Sequence, residues 1–163
     1  MNKFNWFWAV LAFNFSAQAQ SGWKEMEWET YSISFKVPES FEITESTADI
    51  FTASGEDFTL TISPWKDASI SVEEVANKAL GSLSADDVTI TSHEKIDLNG
   101  FEGYEILGTG YQDDRPLLFV VLGFIDPDGE TNFSAYILFW HDENKNQENI
   151  DIATQIIEGI RKM

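Results

Sequence analysis

The chain predicts an α+β fold: an antiparallel β-sheet with a four-strand C-terminal meander, packed by two main helices and preceded by a cleavable N-terminal signal helix. Three observations predict it. Apolar residues alternate at period two through most of the 163 residues. Two segments carry them at helical spacing instead. The connections in the second half are tight turns, too short for a crossover, so the strands they join are antiparallel neighbours.

Met1-Asn2-Lys3 gives a positive start, Phe4 to Phe15 an apolar stretch, and Ser16-Ala17-Gln18-Ala19 an Ala-x-Ala cleavage site. The stretch is too short to span a bilayer, and the order of its parts is that of an export signal. Asn5 and Asn14 interrupt it, and the alternative is an amphipathic helix belonging to the folded domain. Its aromatic residues leave no polar face, which favours the signal. Cleavage near Ala19 would leave residues 20–163 as a single domain, periplasmic or extracellular.

Tyr31, Ile33, Phe35 and Val37 alternate with polar residues up to Pro38, and Phe41 and Ile43 continue after a turn. Ile50 and Phe51 start another short strand. Ser54-Gly55-Glu56-Asp57 turns the chain into Phe58, Leu60 and Ile62, which Pro64 is expected to stop. A helix follows, with Val72, Val75, Ala76, Ala79, Leu80 and Leu83 in one stripe. Ser71 with Glu74 forms a capping box, and Ile70 with Val75 a hydrophobic staple.

The meander comprises Val88 to Leu98, Glu102 to Tyr111, Pro116 to Ile125 and Thr131 to Trp140. Asn99-Gly100 between the first two is a type I′ hairpin signal. Leu117 to Leu122, and much of Phe133 to Trp140, are apolar on both faces and should be central, covered strands. The last helix, from about Asn146 to Arg161, carries Ile150, Ala153, Ile157 and Ile160 as its stripe. Arg161 and Lys162 would complement its C-terminal dipole.

This order carries four recognisable stretches. They are Ile33-Ser34-Phe35-Lys36-Val37-Pro38-Glu39-Ser40-Phe41, Ile96-Asp97-Leu98-Asn99-Gly100-Phe101-Glu102-Gly103-Tyr104, Ala135-Tyr136-Ile137-Leu138 and Ile156-Ile157-Glu158-Gly159-Ile160-Arg161. Together they resemble the PsbP/DcrB-like superfamily, which shares its fold with a Ran-binding nuclear import factor. The resemblance covers about residues 28–161. It implies an antiparallel-sheet domain that serves as an accessory or binding protein; PsbP-like members assist a photosystem and DcrB-like members sit in the bacterial envelope. It brings no catalytic motif to carry over.

Composition narrows the function. Twenty-eight acidic residues against ten Lys and Arg give a net charge of −18. Loss of Lys3 with the signal would leave 9 basic against 28 acidic residues, −19. Such a surface repels nucleic-acid phosphates and anionic lipid, and attracts cations or a basic partner, or simply keeps a monomer soluble. The absence of cysteine removes disulfides, thiol catalysis, thiolate metal sites and an N-terminal lipid anchor.

His93 and His141 fall on the first and fourth strands of the meander, three strand spacings or about 14 Å apart, too far to share a small ion. Asp126, Asp128 and Glu130 imitate the start of a calcium loop, but Thr131 and Ile137 stand where a Gly and a bidentate acid are needed. Pro127 and Gly129 make this a hairpin turn. Neither a metal nor a cofactor is expected. Among the aromatics, Trp65, Tyr104, Tyr136 and Trp140 are the candidate ligand- or partner-binding residues, because Trp and Tyr dominate interface hot spots; the alternative is that they cap the core. The expectation is an exported, non-enzymatic binding or accessory domain of the bacterial cell envelope with an envelope protein as partner. The alternatives are a carrier of a small apolar ligand held between sheet and helix, and a hydrolase with an unrecognised site.

Overall fold

A computed structural model describes residues 22–65, 67, 69–129 and 131–163. The expected signal segment and its cleavage site lie outside the described residues. No described helix is long and apolar enough to cross a membrane.

Two sheets share one core. Trp23–Trp28 (β1) pairs with Ile33–Pro38 (β2). Between them Glu29–Tyr31 forms a single 3-10 turn, and Ser32 reverses the chain at φ 52°. Tyr31 therefore belongs to a turn and not to the strand its alternation suggested; its hydroxyl donates to the Ala48 carbonyl at 2.6 Å. The second sheet has seven strands. Its early members are Glu42–Ser46 (β3), Phe51–Ser54 (β4) and Phe58–Trp65 (β5). The helix Val72–Gly81 (α1) intervenes. Asp86–Leu98 (β6), Phe101–Gln112 (β7), Arg115–Ile125 (β8) and Asn132–Trp140 (β9) follow. The spatial order is β3-β4-β5-β9-β8-β7-β6, antiparallel throughout.

Pro64 does not stop β5. It pairs with Phe133 of β9, and Trp65 with Asn132. The pairing with β4 has already ended at Ile62, so residues 63–65 have one open side, and a proline is tolerated at such an edge.

The last helix runs Asn146–Glu158 (α2), shorter than its sequence suggested. Arg161–Lys162 (β10) adds to the free side of β2 instead of completing a helical turn. A buried Ile160 anchors this exit. Arg161 donates from Nε to Ser34 Oγ at 3.2 Å and pairs with Glu25. Lys162 pairs with Asp126 and lies 3.6 Å from Asp128.

The central strands of the seven-stranded sheet are covered on both faces, while the edge strands β3 and β6 are mostly exposed. Leu117, Phe119 and Val121 of β8 point to α1 with Tyr104 and Ile106 of β7. Val120, Leu122 and Phe124 point the other way, into a core shared with β2 and with Ala153, Ile156, Ile157 and Ile160 at the C-terminal end of the chain. α1 lies close on its face because residue 123 is glycine: a Cβ there would sit 2.2 Å from the Val72 carbonyl oxygen and 2.8 Å from the Ala76 nitrogen. Ser71 and Glu74 close the capping box, with Glu74 N–H donating to Ser71 Oγ at 3.2 Å and Ser71 N–H to Glu74 Oε2 at 3.1 Å. Buried Asn132 ties the incoming loop to β9, its amide donating to the Asp67 and Ile70 carbonyls at 2.9 and 3.1 Å.

Candidate functional site

The four aromatics named from the sequence all stand on the α1 side of the large sheet, but not together. Trp65 lies opposite Asn132 at one end of β9, and Trp140 closes the other end. Eight residues of strand separate those levels, roughly 27 Å at 3.4 Å per residue. Trp65 is half-buried; its indole N–H donates to Ser134 Oγ at 2.9 Å and Lys78 Nζ stands 5.7 Å from its ring centre. Trp140 is half-buried beneath the Arg115 guanidinium, 4.0 Å from the ring. Tyr136 lies midway and lines an open hollow of about 240 Å³ beside Leu83 and Thr61. Tyr104 is buried, with its hydroxyl 2.7 Å from His93 Nδ1. Burial, and then the Glu73 carboxylate beside it, pushes the Tyr104 phenol above its ordinary value.

His93 is thus engaged by a tyrosine on the neighbouring strand, and His141 follows the end of β9. No group of three or more His, Cys, Asp or Glu is placed to hold a metal among the described residues. The Asp126 turn is closed by a Gly129 N–H to Asp126 carbonyl bond of 2.9 Å and by an Asp128 N–H to Asp126 Oδ1 bond of 2.9 Å. Lys162, and then the Asp128 N–H, hold the Asp126 carboxyl below its ordinary value.

The other face is built differently. Between α2 and strands β7 and β8 lies a cavity of about 310 Å³. Its walls include Leu107, Leu118, Val120 and Phe139 from the sheet, and Ile150 and Ile157 from the helix. None of the four sequence-predicted aromatics lines it. Ile150 is 42% exposed because it overhangs this space rather than packing into it. Glu105 stands in the wall and also lines a second, more polar hollow that continues past Asp97, Asn99 and Glu158. The two spaces share Thr154 and Ile157, so they form one groove.

Glu105 is half-buried, and directly across the strand pair from Glu94. Burial, and then the Glu94 charge, raise the Glu105 carboxyl above its ordinary value of 4.5. The sequence held a signal for this pair. A two-residue turn at Asn99-Gly100 sets Leu98 against Phe101, and that register carries Glu94 to Glu105.

No family model matches the chain, and no curated protein matches it at a significant level. Solved structures do. Ran-binding protein Mog1p of Saccharomyces cerevisiae superposes with a TM-score of 0.61 at 9% identity, covering 85% of this chain and 94% of its own. Cyanobacterial PsbP (CyanoP) from Synechocystis sp. PCC 6803 gives 0.58 at 9% identity, covering 90% and 96%. LpqN, involved in cell envelope biogenesis of Mycobacterium tuberculosis, gives 0.56 at 16% identity, covering 88% and 86%. The chain shares its fold with these three proteins.

Proposed function

We propose that this chain is an exported binding and accessory domain of the bacterial cell envelope, processed near Ala19, that engages a protein partner and catalyses no reaction. The observation that carries this is β6. It is a 13-residue strand at the edge of the large sheet, exposed along most of its length. An edge strand presents backbone donors and acceptors on its open side. Adding a strand from a partner to such an edge is a recurrent mode of recognition. Charge indicates the occupant. β6 carries Asp86, Asp87, Glu94 and Asp97 against a single Lys95, in a chain of net charge −18. An extended, basic segment of an envelope protein complements it.

Export is supported by the N-terminal pattern, and a binding role by the fold. Mog1p is a Ran-binding protein and LpqN takes part in envelope biogenesis, and both share this architecture. Two measurements test the proposal. The intact mass of the exported protein is expected to equal residues 20–163, slightly less if Gln20 cyclises; an unprocessed mass contradicts processing. In a complex isolated from envelope extract, hydrogen exchange is expected to slow at β6 amides. Protection elsewhere with β6 unchanged contradicts strand addition.

A second reading is favoured by one observation, the 310 Å³ cavity beneath α2. In it the domain carries a small, mostly apolar ligand on the face away from the predicted aromatics. Its volume lies at the low end of small-molecule pockets, roughly 300–1,000 Å³.

A further inference from the structure

We infer that the groove under α2 binds a small amphiphile with a primary ammonium head, its alkyl chain in the cavity and its head between Glu105 and Glu94. This rests on the carrier reading and adds the chemistry of the ligand.

The apolar half comes from the walls. Leu107, Val120, Phe139, Ile150 and Ile157 surround a space that the side chains leave unfilled. Natural cores are packed to crystal-like density with few voids larger than a water molecule. This space opens to solvent along the Ile150 and Thr154 edge, so it is a cleft beside the core and not a void within it. The helix is seated by Ala153 and Ile156, both buried, while the Ile150 and Thr154 edge stands over the groove.

The polar half comes from the acids. Glu94 and Glu105 are register partners on one face of β6 and β7. Like charges directly opposite each other in a sheet destabilise it. Asp97 and Glu158 line the same mouth, and among the described residues no Lys, Arg or His lines either part of the groove. Lys95 pairs with Tyr104 and so belongs to the opposite face. No hydrogen bond from another described residue reaches the Glu105 carboxylate. Among the described residues, the groove thus combines an apolar slot with Glu105, Asp97 and Glu158 in its lining and no cation, and Glu94, outside the lining, faces Glu105 from the neighbouring strand. A primary ammonium supplies three donors and one positive charge in a compact head, which two facing carboxylates can share. An anionic head would meet four acids, and a neutral head would leave their repulsion unrelieved.

The test is titration calorimetry of the full 163-residue chain with octylammonium, octanol and octanoate. Octylammonium is expected to bind about tenfold tighter than octanol, the effect of a partly exposed charge-assisted contact, and octanoate weakest. Glu105→Gln should bring octylammonium and octanol to within about twofold of each other. Thr154→Trp, at an exposed position on the rim, should weaken both while circular dichroism shows a folded protein. Equal affinity of the native chain for octylammonium and octanol, with loss of both in Thr154→Trp, keeps the carrier reading and overturns the head-group assignment. Absence of binding by all three overturns both. Tight octylammonium binding that survives Glu105→Gln also overturns the assignment.

Discussion

Ile106 and Leu107 are neighbours on β7 and point to opposite faces of one sheet, yet they occupy different environments. Ile106 is 3% exposed among Phe119, Val121 and α1. Leu107 is half-buried in the wall of a cavity. On the α1 side a glycine admits the helix backbone, and Trp65 and Tyr104 are hydrogen-bonded to side chains, while Tyr136 borders an open hollow. The α2 side is left open and carries an uncompensated acid pair. The difference lies in what lines each space: Tyr136 and polar residues border the hollow on the α1 side, and apolar residues with acids border the groove on the α2 side. Trp65 and Tyr104 have their polar tips bonded within the fold, and the α2 face is the one proposed to take a ligand.

The largest effect that could break this comparison is at Ile106. Ile106→Ala is expected to destabilise by about 3 kcal/mol, since a packed site relaxes little around the void. Gly123→Ala should follow at about 2.5 kcal/mol, because its Cβ collides with the α1 backbone rather than with a movable side chain. Leu107→Ala should lose only about 1.5 kcal/mol, as one wall of its site is already empty. Urea unfolding of the three variants checks the ranking. Equal losses at Ile106 and Leu107 would mean that the two faces are packed alike.

Much of the α1 side could be read from the sequence because its determinants are local. Ser71 and Glu74 are three residues apart and form the capping box. Asn99 and Gly100 both adopt positive φ, 52° and 93°, as a type I′ turn requires. The double-sided apolar pattern of β8 matches its burial on both faces. What was missed is non-local. β1 reads Trp-Lys-Glu-Met-Glu-Trp, without a clean period of two, and β10 is two charged residues after a helix. The split into two sheets was hidden because alternation reports a face and not a partner. The cavity is a mismatch of volumes between α2 and three earlier strands, β7, β8 and β9, and no spacing rule reports it. Glu105 alone had a signal, a lone acid between Tyr104 and Ile106 whose register partner follows from the hairpin.

Two carboxylates with opposite displacements sharpen the comparison at the smallest scale. Asp126 is held below its ordinary value of 3.8 by Lys162. Its contribution is therefore present above that value and lost as pH falls through the lowered one. Asp126→Asn should destabilise by about 0.5 kcal/mol at neutral pH, a modest figure for a partly exposed pair, and by nothing once the native carboxyl is protonated.

Glu105 behaves with the opposite sign. Its carboxyl is raised above 4.5 by burial and by Glu94, with Asp97 and Glu158 also at the mouth. The folded state then holds the proton more tightly than the unfolded state, so stability falls as pH rises from about the ordinary value through the raised one. The measurement is the melting temperature of native chain and Glu105→Gln across pH 3 to 8, without ligand. No difference is expected below about pH 4, and a gain at neutral pH worth about 0.5 kcal/mol, the size of a relieved cross-strand repulsion. A neutral-pH loss in Glu105→Gln would contradict it, because Glu105 would then already have its cationic partner within the fold.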